Sequence, residues 1–165
     1  MVEAHWLDDR ERRAWLRFVT LLELMPGVLD SQLRRDAGVS HFDYFVLAML
    51  SEAPEHTLRM TVLATMTNAT LPRLSHVVSR LEDKEYVERH PCPKDRRATN
   101  AILTDKGWAK VVEVAPQHVD HVRHHVVDAL TDEQLVQLGE ICDAMLERIP
   151  AARRMTAIRE ESLGD

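Results

Sequence analysis

The sequence predicts a mainly α-helical chain with one small β-hairpin, and three observations predict it. Apolar residues recur at intervals of three and four in several segments, most clearly Trp15, Phe18, Val19, Leu22 and Met25, and again Leu135, Leu138, Cys142, Met145 and Ile149. Two short helical patterns are separated only by Thr67, Asn68 and Ala69. Two strand-like runs, Tyr86 to His90 and Thr99 to Leu103, flank a loop rich in proline and charge. A composition with 45% apolar residues and only 5 glycines suits a helical domain, and 165 residues suffice for one domain rather than two.

Taken in order, the first apolar stripe predicts a helical arm over about 8–38, either one helix kinked at Pro26 and Gly27 or two in series. A support helix follows from about His41 to Ser51, stopped by the turn signal at Pro54. Leu58 and Met60 lead into a short helix carrying Val62, Leu63 and Met66. Asn68 is the non-glycine type that best tolerates the left-handed backbone of a tight turn. Thr70 is suited to cap the next helix, Pro72 fits its first turn, and Leu74, Val77, Val78 and Leu81 form its inward stripe as far as about Lys84. The hairpin comes next. Thr104 then caps a long helix reaching about Leu130 and bent at Pro116, and Thr131 with Gln134 has capping-box spacing for a last helix. Residues 151–165 are expected to fray as a flexible tail. Helix, turn, helix and hairpin between two helical arms make a winged helix-turn-helix lobe over about 41–104, within a single domain.

Charge is informative only when resolved along the chain. The net value is -6, yet residues 59–110 sum to +4 and the remainder to -10. A basic island between acidic arms suits a face that meets phosphate. On the helix after the turn, Arg73, Ser75, His76, Ser79 and Arg80 point outward, where they could reach phosphates or base edges in a major groove. Arg59 and Thr70 border that face. The hairpin loop adds Lys94, Asp95, Arg96 and Arg97, and an arginine-tipped hairpin fits the narrow minor groove alongside. The expected partner is double-stranded DNA. The two apolar arm stripes exceed what one small lobe can cover, which predicts a homodimer through 8–38 and 105–150.

From about Trp15 to Ile149 the chain resembles the MarR family (multiple antibiotic resistance regulators). The resemblance is carried by Leu63, Ala64 and Asn68, the run from Arg80 to Lys84, then Val87, Glu88, Arg89, and by Asp95, Arg96, Arg97 shortly ahead of Leu103 and Thr104. It implies a regulator, more in keeping with repression by occlusion than activation, in which each protomer presents one wing and one recognition helix to half of a pseudo-palindrome. It also implies that Asp95 orients the arginine that enters the minor groove. A small aromatic or anionic effector is implied too, in a cleft that Trp15, Phe18, His41, Tyr44 and Phe45 could line, although aromatic residues at helical spacing more often fill cores. Two positions depart from the family. Glu85 replaces the usual glycine after the recognition helix, so either it is strained at a positive φ or the helix ends differently. Leu71, Pro72 and Arg73 replace small hydroxyl residues, so base preference does not transfer.

Other readings are thinner. His118, His121, His124 and His125 share one predicted helix, and His121 with His125 has the i, i+4 spacing of a transition-metal pair. No Cys or Glu flanks them in a ligand pattern, so no metal is assigned. Cys92 in the wing is a candidate redox switch, but peroxide-sensing relatives carry theirs near the N-terminus, and Cys142 is too distant for a disulfide framework. No phosphate loop, nucleophile elbow, carboxylate pair or metal-hydrolase motif points to an enzyme, and no cofactor is expected. A winged helix used only for protein docking would need no arginine at the wing tip. Neither a membrane span nor a secretory signal is evident, which predicts a cytoplasmic protein.

Overall fold

The computed structural model describes residues 5–93 and 95–163, apart from the side chain of Arg96. Helix α1 (Asp9–Ala37) begins at a capping box, in which the Asp8 carboxylate accepts from the Arg10 and Glu11 backbone N–H groups and Glu11 accepts from that of Asp8. Pro26 lies inside this one helix, which ends at Gly38 with a left-handed φ of 66°. Helix α2 (His41–Glu52) starts from the reciprocal cap of Ser40 and Asp43. After a 3-10 turn at Pro54–His56 come strand β1 (Thr57–Arg59), helix α3 (Met60–Met66) and helix α4 (Leu71–Asp83). Strands β2 (Val87–Cys92) and β3 (Asp95–Leu103) follow, then α5 (Asp105–Val122), a π turn over Arg123–Val127, α6 (Asp132–Leu146) and α7 (Pro150–Leu163).

The three strands form an antiparallel sheet in the order β1-β3-β2, with Arg59 opposite Asn100 and Val87 opposite Leu103. Strand β1 is not expected from the sequence, because three residues are too few for an alternating pattern to register. The wing also differs from expectation. β3 begins at Asp95 rather than Thr99, because a register shift at Pro91 and Cys92 carries the ladder past a residue with no N–H to give, until Cys92 faces Asp95. Asp95, Arg96 and Arg97 therefore sit on a strand and not in the loop.

Leu47, Leu50, Leu63, Met66, Leu74, Val78, Leu81 and Val87 are almost wholly buried in one core that joins α2, α3, α4 and the sheet. Leu33, Val39, Tyr44 and Val114 form a second cluster where α1, α2 and α5 meet. Gly107 lies against the loop before the wing, where an added Cβ would fall inside van der Waals contact with the Tyr86 carbonyl oxygen. Pro116 lies inside α5, and the long helix departs from α geometry at the π turn that follows Val122. The segment 151–165, expected as a fraying tail, is helical through Leu163, and Ile158 and Leu163 pack on the main core. Helix α6, by contrast, buries none of its residues within the chain.

Candidate nucleic-acid interface

The turn before α4 takes the form its residues dictate. Asn68 adopts a φ of 49°, and the Ala69 N–H donates to the Ala64 carbonyl at 2.8 Å. Thr70 caps α4, its hydroxyl accepting from the Arg73 N–H at 3.4 Å. With Leu74, Val77, Val78 and Leu81 buried, the opposite face of α4 is fixed toward solvent. Arg73 and His76 are exposed on it, and the Arg73 guanidinium lies 4.4 Å from the centre of the Phe42 ring. That stacking limits where the arginine can point while leaving its N–H groups at the edge available.

The other expected side chains are engaged within the protein. Ser75 and Ser79 are half-buried, and their hydroxyls accept from Arg89 of β2 at 3.2 and 3.0 Å. Arg89 also pairs with Glu82 at 2.5 Å, so one guanidinium joins the wing to α4. Arg80 donates to the buried Asp43 carboxylate at 2.8 Å. Sequence reasoning does not single out Arg89 as this link. The signal is the i, i+4 pair of hydroxyls, Ser75 and Ser79, on the face that meets the hairpin.

On the wing, the Asp95 carboxylate accepts from the Arg97 backbone N–H at 3.1 Å, and the Arg97 side chain is exposed. Leu71, Ser75, Arg89, Arg97 and Thr99 line a cleft of about 210 Å³ between wing and α4. Arg59 is exposed at the end of β1. Lys94, another expected contact, lies outside the described residues, as does the side chain of Arg96. Cys92 is buried in the sheet, which removes its thiol from the exposed wing surface.

The residues expected to line an effector cleft fall in three places. His41 and Tyr44 converge on His118 of α5, with ring centres 6.1 and 4.8 Å from it. Trp15 and Phe18 meet in a tilted ring pair along α1, at 6.3 Å. Phe45 packs against the main core and lies under the Arg159 guanidinium of α7, at 5.6 Å. Burial pushes the His41 and His118 imidazoles below their ordinary value, and at His118 the neighbouring His41 and His121 add to the shift. His125 lies 4.5 Å from His121 and 4.7 Å from His124, ring centre to ring centre. Among the described residues, no three His, Cys, Asp or Glu side chains gather where a metal ion could be held. Among the described residues, no helix is long and apolar enough to cross a membrane.

Known proteins share this arrangement. The model of the MarR family matches residues 39–99, from the loop before α2 to the middle of β3. Sco3205, a MarR family transcriptional regulator from Streptomyces coelicolor solved in complex with DNA, is 43% identical with a TM-score of 0.86, covering 91% of this chain and 94% of that one. The transcriptional repressor MprA of Escherichia coli (strain K12) is 26% identical over 130 residues, 78% of this chain and 70% of MprA. The HTH-type transcriptional regulator MhqR of Bacillus subtilis (strain 168) is 33% identical over 76 residues, 46% of this chain. That match spans only 49% of MhqR.

Proposed function

This chain belongs to the MarR family, and on that premise we propose that it is a homodimeric, DNA-binding transcriptional repressor. The observation that carries the reading is the pairing of α4 with the wing. α4 is locked into the core on one face and presents Arg73 and His76 on the other, while β3 exposes Arg97 alongside. A helix of that kind fits a major groove and the arginine fits the adjacent minor groove. Sco3205, so similar in fold, was solved with DNA, and MprA is a repressor. Occlusion of a promoter is the simplest way for such a protein to repress.

Dimerisation supplies what the isolated chain lacks. Leu16, Leu21, Leu22 and Leu24 of α1 and Leu135, Val136 and Ile141 of α6 are all exposed in one protomer. Two arms, 8–38 and 105–150, interlocking across a twofold axis would cover these faces and set two recognition helices against a pseudo-palindrome. A small aromatic or anionic effector would enter at the junction of arm and lobe, beside His41, Tyr44 and His118. Trp15, Phe18 and Phe45 are not gathered at that point within the protomer.

Selecting bound sequences from random duplex DNA tests the function directly. The expected product is an inverted repeat whose affinity falls steeply with salt, since phosphate contacts release counterions. Failure to enrich any sequence, or binding indifferent to salt, would overturn it. Sedimentation tests the assembly separately, and a stable monomer at micromolar concentration would exclude the dimer.

A further inference from the structure

Helix α7 is held against the helix-turn-helix by contacts from a distant part of the chain. Ile158 and Leu163 pack on the main core, Arg159 donates to the carbonyl of Met66 at 3.5 Å, and its guanidinium covers Phe45. A cation at that carbonyl also suits the C-terminal end of α3. Ala151, Arg154 and Ile158, on one face of α7, consequently run alongside Ala64, Thr65, Asn68 and Ala69, with a cleft between them. Arg154 is thus placed beside the tight turn that leads into the cap of α4.

Among the described residues, no acidic side chain pairs with it there. Several described arginines and lysines are satisfied internally: Arg34 by Asp30, Arg80 by Asp43, Arg89 by Glu82, Lys106 by Glu85, Arg153 by the Glu147 carbonyl. Outside the N-terminal half of α1 and Arg148, the described arginines with neither an ion pair nor a side-chain hydrogen bond are Arg59, Arg73, Arg97 and Arg154. The first three border the reading surface already described. The fourth is exposed on α7, and among the described residues no carboxylate lines its cleft.

We propose that Arg154 is a further DNA contact, binding a backbone phosphate that flanks the major-groove site of α4, so that the C-terminal helix widens the footprint of each protomer. This rests on the DNA-binding reading above. A phosphate contact adds affinity without sequence preference, so its removal should act alike on any duplex.

The test titrates salt against binding of two duplexes, a selected operator and one of mixed sequence, for the full-length protein and for Arg154→Ala, Arg154→Lys and Arg97→Ala. Arg154→Ala is expected to bind both duplexes severalfold more weakly and to make the logarithmic salt slope shallower by about 1 per protomer. Arg154→Lys should restore most of the slope, and the melting temperature should stay constant. An Arg154→Ala slope equal to that of the unmodified protein, while Arg97→Ala is shallower, would overturn the proposal and leave the DNA-binding reading intact. A loss that lysine does not correct, or that comes with a lower melting temperature, would overturn it as well, because Arg154 would then be structural. Salt-indifferent binding by the unmodified protein would remove the DNA-binding reading itself.

Discussion

Asp95 reaches Arg97 through the backbone: its carboxylate accepts from the Arg97 N–H at 3.1 Å, and no ion pair joins the two side chains among the described residues. The acid shapes the strand from which the arginine projects and leaves the guanidinium uncompensated. Replacing Asp95 should therefore depend on whether an acceptor remains. Asp95→Ala removes it and is expected to weaken DNA binding by at most roughly 1 kcal/mol per protomer, because the bond acts on binding only by preorganising the strand. Asp95→Asn keeps an acceptor and removes a negative charge near phosphate, so it should bind at least as tightly as the unmodified protein. Equal weakening by both, measured by fluorescence anisotropy, would mean that the charge itself matters.

Arg89 ties the wing to α4 by donating to Ser75 and Ser79 and pairing with Glu82. Arg89→Lys retains the charge but has no planar fork to span three acceptors. It should lower DNA affinity nearly as far as Arg89→Ala does, with the salt slope little altered because Arg89 is already neutralised internally. A slope shallower by about 1 in Arg89→Ala would instead identify it as a phosphate ligand.

Glu85 holds a φ of 62° after the recognition helix, with the Tyr86 N–H donating to the Leu81 carbonyl at 2.9 Å. The helix ends as it would at a glycine, with a side chain in a region that L-residues occupy at a cost. The exposed Lys106 partner recovers little of that. Glu85→Gly is expected to raise the melting temperature by roughly 1–3 °C. A lower value would show that the Lys106 contact or the flexibility glycine brings to the unfolded chain dominates.

Acid should destabilise the protein through His41 and His118, whose native-state protonation is disfavoured by burial. Above the ordinary histidine value of 6.5 both states hold the rings neutral and these groups contribute no pH dependence. As pH falls below it, the unfolded chain takes up protons first. Stability is lost until the lowered native values are reached. His118→Phe keeps a ring against Tyr44 and should flatten the dependence of melting temperature on pH below 6.5. An unchanged slope would exclude His118 as a source.

What the sequence determined by itself is what forms within a few residues along the chain. The caps at Thr70, Thr104 and Thr131, the left-handed Asn68, and the buried stripe of Leu74, Val77, Val78 and Leu81 are interactions at separations of two to four, so local residue types suffice to specify them. The candidate DNA face was legible for the same reason, since a helix with one apolar face has only one other to offer. Tertiary structure decided which of those outward side chains are available. Arg80 is drawn to Asp43 across 37 residues of chain, Ser75 and Ser79 are taken by a strand, and Arg159 docks α7 on a carbonyl 93 residues away. Strand β1 likewise exists only because β3 lies beside it. Periodicity records which face of an element is buried, but not which distant element covers it, and a buried carboxylate or an open helix end recruits whichever cation the packing brings within reach.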